Sequence, residues 1–228
     1  TSSVVINGWT TSAANYIKIY TTSTARHSGK WNDTNAYRIE AGAGSTQLIK
    51  IYTNNVLIQG LQIKITGHSN NIGIYTDYLT AGADIKISNN IIWNGSGANE
   101  AIEIGSDTSG NFNVYVWNNI MYGFSSSLGT RTGNAILLNN WHSGSNLYAY
   151  NNTAYNSYAS YRRYGSANFI SKNNIAQNCL GDCFSGTYSL LSDHNLSDDG
   201  TPPGANSIAS TTVQFVDAVN NDFHLSSS

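Results

Sequence analysis

Read for apolar and polar positions, the chain repeats one short phrase. Apolar and polar residues alternate through Ile85-Lys-Ile-Ser-Asn-Asn-Ile91, Val114-Tyr-Val-Trp-Asn-Asn-Ile120, Leu147-Tyr-Ala-Tyr-Asn-Asn-Thr153, Phe169-Ile-Ser-Lys-Asn-Asn-Ile175 and Leu190-Leu-Ser-Asp-His-Asn-Leu196. Alternation of this kind marks a strand with one buried face. The second Asn of each phrase falls at 90, 119, 152, 174 and 195, so the spacings are 29, 33, 22 and 21 residues. A looser copy, Val56-Leu-Ile-Gln-Gly-Leu61, lies one period earlier. A constant strand with loops of uneven length predicts stacked rungs, the pattern of a solenoid. Further strands are expected between the copies, at Ile72–Thr76, Ala101–Ile104 and Ala135–Leu138, and less regularly at Tyr16–Tyr20, Tyr37–Ile39 and Gln47–Tyr52. Dividing 228 residues by a period of about 27 gives roughly eight rungs, a rod about 40 Å long at the interstrand spacing.

The paired asparagines have a structural explanation. Asn tolerates the left-handed backbone of a sharp turn between two strands. Identical amides one rung apart also bond to one another as a ladder. Asn90, Asn119, Asn152 and Asn174 are therefore expected to form a structural ladder, not a catalytic cluster.

These repeats resemble the right-handed parallel β-helix, the pectate-lyase-like architecture, across nearly the whole chain. Val5-Ile-Asn-Gly-Trp-Thr-Thr11, followed by Tyr16–Ile19 and Arg26-His-Ser-Gly-Lys-Trp31, resembles an early part of uncharacterised secreted β-helix proteins. Phe215-Val-Asp217 with Asp222-Phe-His-Leu225 resembles their closing segment. The resemblance implies an all-β fold in a single domain over residues 1–228, as a matured product or trimmed portion of something longer. It says little about activity.

Composition agrees with the fold. The chain has 31 Asn, 29 Ser and 20 Thr but only 11 basic and 13 acidic residues. Such residues are middling or poor helix formers. The net charge of −2, with no basic cluster beyond Arg162-Arg163, argues against a nucleic-acid partner. No apolar run approaches a membrane span, so no membrane insertion is expected. Cys179 and Cys183 are the only cysteines. They are expected either to form a small disulfide or to remain thiols, since two ligands lack the other half of a zinc site. With the low charge, this favours a secreted or cell-surface location.

Many enzymes of this architecture act on polysaccharides, so acids and bases matter. Aligning the rungs gives an outward column of Tyr75, Glu103, Leu137 and then Arg162 or Arg163, with Asp77 opposite Gly105. No second carboxylate stacks on Glu103 in that alignment, and a paired-acid hydrolase needs two facing acids. His27, His142 and His194 have no identifiable partners, and Asp198-Asp199 lies in a turn without the alternating ligands of a calcium loop. Catalytic residues remain unassigned, and no cofactor or metal is expected.

Outward aromatics form columns instead. Tyr115 and Tyr148 fall in one, Trp117 and Tyr150 in its neighbour, and Trp93, Tyr122 and Tyr155 follow the turn in a third that the alternation does not orient. Such rows stack on each other, on a protein partner or on sugar rings. The preferred expectation is a structural or adhesive solenoid, its ends uncapped and free to join head-to-tail as a filament. The alternative is a carbohydrate-active module, either a polysaccharide lyase or a non-catalytic glycan binder.

Overall fold

The computed structural model describes residues 3–34, 36–41, 47–67, 70–97, 100–105, 110–125 and 133–227. The chain coils through three parallel sheets, and within each sheet the strands follow one another in chain order. The sequence is all-β there, apart from one 3-10 turn at Ala218–Asn220. This is a parallel β-helix.

Sheet A contains Val4–Ile6, Gln47–Ile51, Ile72–Thr76, Glu100–Ile104, Asn134–Asn140, Ala159–Gly165 and Phe184–Ser185. Sheet B contains Ile17–Tyr20, Val56–Gln59, Asp84–Ser88, Asn113–Trp117, Asn146–Tyr150 and Asn168–Lys172. Sheet C contains Arg38–Ala41, Gln62–Thr66, Ile91–Ser96, Ile120–Tyr122, Thr153–Tyr155, Ile175–Gln177 and Leu196–Ser197. The register follows the repeated phrase, with Ile85, Val114, Leu147 and Phe169 in line, and Ile87, Val116, Ala149 and Ser171 beside them. Residues on these two lines point inward and are fully buried.

There are about seven rungs among the described residues, where a uniform period gives eight. Two features account for the difference. The first rungs carry long loops, so Val4 and Ile49, partners in sheet A, stand far apart in sequence. At the other end, the chain leaves the coil after Leu196–Ser197 and folds back along sheet C, ending in the antiparallel hairpin Phe215–Asp217 with Asp222–Leu225. The fifth phrase also departs from its copies. It keeps Asn195 but forms only a bridge at Asp193, and Leu190 is fully exposed.

The two asparagines of each pair divide the work. The first, at Asn89, Asn118, Asn151 and Asn173, turns the chain with φ between 53° and 55°. His194 takes this place in the fifth copy, at φ 55°. The second is buried and makes the ladder. Asn90, Asn119 and Asn152 each donate Nδ2 to the Oδ1 of the next, at 2.9–3.0 Å, ending on Asn174. The ladder continues from Asn174 to Asn195 at 3.2 Å. Below it, Leu61 donates its backbone N–H to Asn90 Oδ1 at 2.9 Å. The same Oδ1 atoms accept the buried backbone N–H groups of Leu61, Asn90, Asn119, Asn152 and Asn174, which would otherwise be costly to bury.

The two ends of the core differ. In the first rung Ile17, Ile19 and Ile39 are only partly buried, although they pack on the same core. At the other end Tyr188 lies on Phe169 and Phe184 and donates its hydroxyl to Tyr161 O at 2.6 Å. Tyr188 thus covers part of the core at this end.

Candidate functional site

Three outer surfaces carry the residues of chemical interest. On sheet A, Tyr75, Glu103, Leu137 and Arg162 occupy one register line, as the rung alignment predicts. The structure adds Asp77, which the alignment keeps apart from Glu103. The Tyr75 hydroxyl donates to Asp77 Oδ2 at 2.7 Å, and Asp77 Oδ1 accepts the Tyr78 N–H at 3.0 Å. Gly105 makes this approach possible, since a Cβ there would lie 2.9 Å from the Tyr75 hydroxyl and 3.1 Å from the Asp77 carboxyl carbon. Asn139 donates Nδ2 to Glu103 Oε1 at 3.2 Å. Both acids are buried, at 3% and 2% exposure. Burial, then the Asp77 carboxylate, pushes the Tyr75 hydroxyl far above the ordinary phenol range. At neutral pH Tyr75 is therefore a fixed donor. Its proton stays on the phenol and is held on Asp77.

The outward positions of sheet B fall in three columns, and of these positions Ser88 and Ile170 are buried. Its first column is Asp84, Asn113, Asn146 and Asn168. Asn146 donates Nδ2 to Asn113 Oδ1 at 3.0 Å, and Asn168 donates to Asn146 Oδ1 at 3.2 Å. This second, outer amide ladder is missed by the sequence reading, although Asn in register at 113, 146 and 168 was the available signal. The middle column is Lys86, Tyr115, Tyr148 and Ile170. Tyr115 and Tyr148 stack with centroids 4.8 Å apart and an interplanar angle of 8°. At that separation the rings lie face to face along the rod, so they turn edges and hydroxyls outward. The third column holds Ser88, Trp117, Tyr150 and Lys172, with Tyr150 tilted 56° against Tyr148. Tyr115, Trp117, Tyr148 and Tyr150 are all half-buried.

Sheet C settles the unoriented column. Trp93, Tyr122 and Tyr155 face outward in register, and the chain's own C-terminal hairpin covers them. Phe223 sits 5.0 Å from Tyr122 and 5.2 Å from Tyr155, while Phe215 meets Tyr155 edge-on at 6.0 Å. Trp31 closes the lower end against Trp93. Sequence spacing could not show this, because the covering segment lies about a hundred residues from Tyr122.

The remaining candidates take structural places. Cys179 and Cys183 form a disulfide, so the sulfurs that lie near Asp198 offer no thiolate to a metal. Asp199 accepts from Cys183 N, Ser197 Oγ, and both Thr201 N and Oγ1 at 2.6–3.0 Å, tying the disulfide loop to the last rung. His142 follows the turn at Asn140, whose Oδ1 accepts its N–H at 2.9 Å. His27 meets Asn89 O at 2.8 Å, and His194 Nδ1 lies 3.3 Å from Asp193 Oδ2. No family model, curated protein or solved structure matches this chain.

Proposed function

We propose that this protein is an extracellular structural or adhesive β-solenoid, working by contact along one flank and not by catalysis in a cleft. The outer face of sheet B carries the reading. An amide column over three rungs stands beside a stacked tyrosine pair and the Trp117/Tyr150 pair on two of them. Half-buried aromatics among few charges make an adhesive surface. The disulfide supports an oxidising compartment. Three sheets per rung and an Asn ladder at one turn support the pectate-lyase-like, right-handed form of the helix. Electron microscopy and light scattering over a concentration series test this. Filaments or oligomers weakened by Trp117→Ala with Tyr150→Ala support the reading, while a monomer at every concentration counts against self-association.

A second reading, a non-catalytic glycan binder, draws on the Asn113–Asn146–Asn168 ladder. Each amide in it uses part of its hydrogen-bonding capacity on a neighbour and has capacity left for sugar hydroxyls. Retention on insoluble polysaccharide, lost in the same double variant, distinguishes it from self-association. Release of unsaturated uronides would instead establish a lyase.

A further inference from the structure

The loop at residues 26–31 lies between the coil and the C-terminal hairpin, and a histidine holds it on each side. On the coil side, His27 Nδ1 accepts the Gly29 N–H at 3.2 Å while Nε2 meets Asn89 O at 2.8 Å. An N–H only donates and a carbonyl only accepts, so this arrangement requires a neutral ring with its proton on Nε2. On the hairpin side, His224 Nε2 meets Ser28 O at 3.1 Å and Nδ1 meets Asp222 Oδ1 at 2.6 Å. Both partners are acceptors, so both nitrogens must carry protons and this ring must be charged. The two rings impose opposite requirements on one short loop. Gly29 fits between them at φ +96°, where a Cβ would stand 2.7 Å from His224 Nε2.

We infer that residues 213–227 form a pH-gated latch, closed most firmly where His27 is neutral and His224 is charged. Opening on either side of that band uncovers the Trp93–Tyr122–Tyr155 trough. The charged groups facing the latch fit this assignment. Arg26 stands beside His27, and like charge opposes its protonation. Asp222 faces His224 and also pairs with Lys30 Nζ at 3.4 Å, joining loop and hairpin. Burial, offset in part by the Asn89 bond and aided by Arg26, lowers the His27 pKa. The Asp222 bond chiefly raises that of His224. Acid therefore costs closure as pH falls from the ordinary imidazole value of 6.5 toward the lowered His27 value. Alkali costs closure as pH rises from that same value of 6.5 through the raised His224 value. Asp222, its own pKa lowered mainly by the His224 bond, keeps its charge through both limbs.

Hydrogen exchange on the intact chain, corrected for intrinsic rates, tests the latch through amides of residues 222–226 from about pH 4.5 to 8.5, a range bracketing imidazole titration. Protection is expected to peak near the middle and fall on both sides, by at most about tenfold per pH unit. His27→Gln keeps a donor and an acceptor without a titrating ring, and should remove the acid limb alone. His224→Gln should remove the alkaline limb alone. A flat wild-type profile overturns the latch, and so does loss of the same limb in both variants. Should His27→Gln fail to fold, the wild-type and His224→Gln profiles still decide the matter.

Discussion

Asn119 gives both its backbone N–H and its side-chain Nδ2 to a single atom, Asn152 Oδ1, each at 3.0 Å. Its own Oδ1 receives the same two donors from Asn90, at 3.0 and 2.9 Å. Its Nδ2 also reaches Ile87 O and Trp117 O, both at 3.0 Å. A side chain in this position supports the rung above and the rung below.

Asn119→Ala therefore removes the acceptor shared by two buried Asn90 donors, leaving Nδ2 only a long contact to Ile58 O at 3.5 Å. The expected loss is about 2–4 kcal/mol, read from the urea midpoint, because each buried unsatisfied group costs about 1–3 kcal/mol. Asn118 provides the contrast. At φ 53° its role is conformational, so Asn118→Gly should change stability little, while Asn118→Val should cost about 1–2 kcal/mol. Equal losses in Asn119→Ala and Asn118→Gly would contradict the division of labour.

Phe223 is the central side chain of the hairpin's packing on sheet C, buried among Ile91, Tyr122 and Tyr155. Phe223→Ala should release the hairpin while leaving the coil folded, since rungs are stabilised by their neighbours. Burial pushes the Tyr122 hydroxyl far above the ordinary phenol range. Ultraviolet titration should therefore show one more tyrosine ionising in the normal range once Phe223 is removed. An unchanged tyrosine titration would mean that the coil alone buries Tyr122.

Asp199 should make the upper end of the rod acid-sensitive. Partial burial disfavours its charge, but bonds from Cys183, Thr201 and Ser197 outweigh that and lower its pKa below the ordinary 3.8. A depressed carboxyl contributes stability that is present above its unfolded value and lost as pH falls through the folded one. Exchange at residues 178–185 should accelerate below about pH 4, the ordinary carboxyl range. Asp199→Asn should bring that faster exchange to neutral pH.

Reducing Cys179–Cys183 should loosen the same loop and little else. The bond closes a separation of only four residues, so chain entropy assigns it about 2 kcal/mol. Strands at Asn113–Trp117 and Asn146–Tyr150 should keep their protection. Their loss on reduction would show that the rungs are more cooperative than nearest-neighbour packing allows.

The register of the coil was readable from one chain because its strands repeat a two-residue alternation that ends at a fixed turn. Ile85, Val114, Leu147 and Phe169 align in the sequence and pair in the structure. The third sheet was harder to see. Strands such as Ile120–Tyr122 span three residues, too few to establish a period, so their stacking is evident only in three dimensions. The fifth phrase misleads in the opposite way, because it keeps the turn and the ladder Asn195 but not the strand.

What the sequence determined by itself was the repeated unit: which side chains face inward, and that the paired asparagines turn the chain and bond to their copies, while the division of those two tasks within each pair came from the structure. These are local properties, set by alternation and by the conformations Asn tolerates. Tertiary structure alone decided what lies against the outer faces. Phe223 covers Tyr122, Asp77 reaches Glu103's neighbour Tyr75, and His224 meets Ser28 across 196 residues of sequence separation. The Phe223 and His224 contacts depend on where a tail of irregular length comes to rest, and the Tyr75–Asp77 contact on how the chain turns at the end of its strand; a repeat pattern carries no information about either.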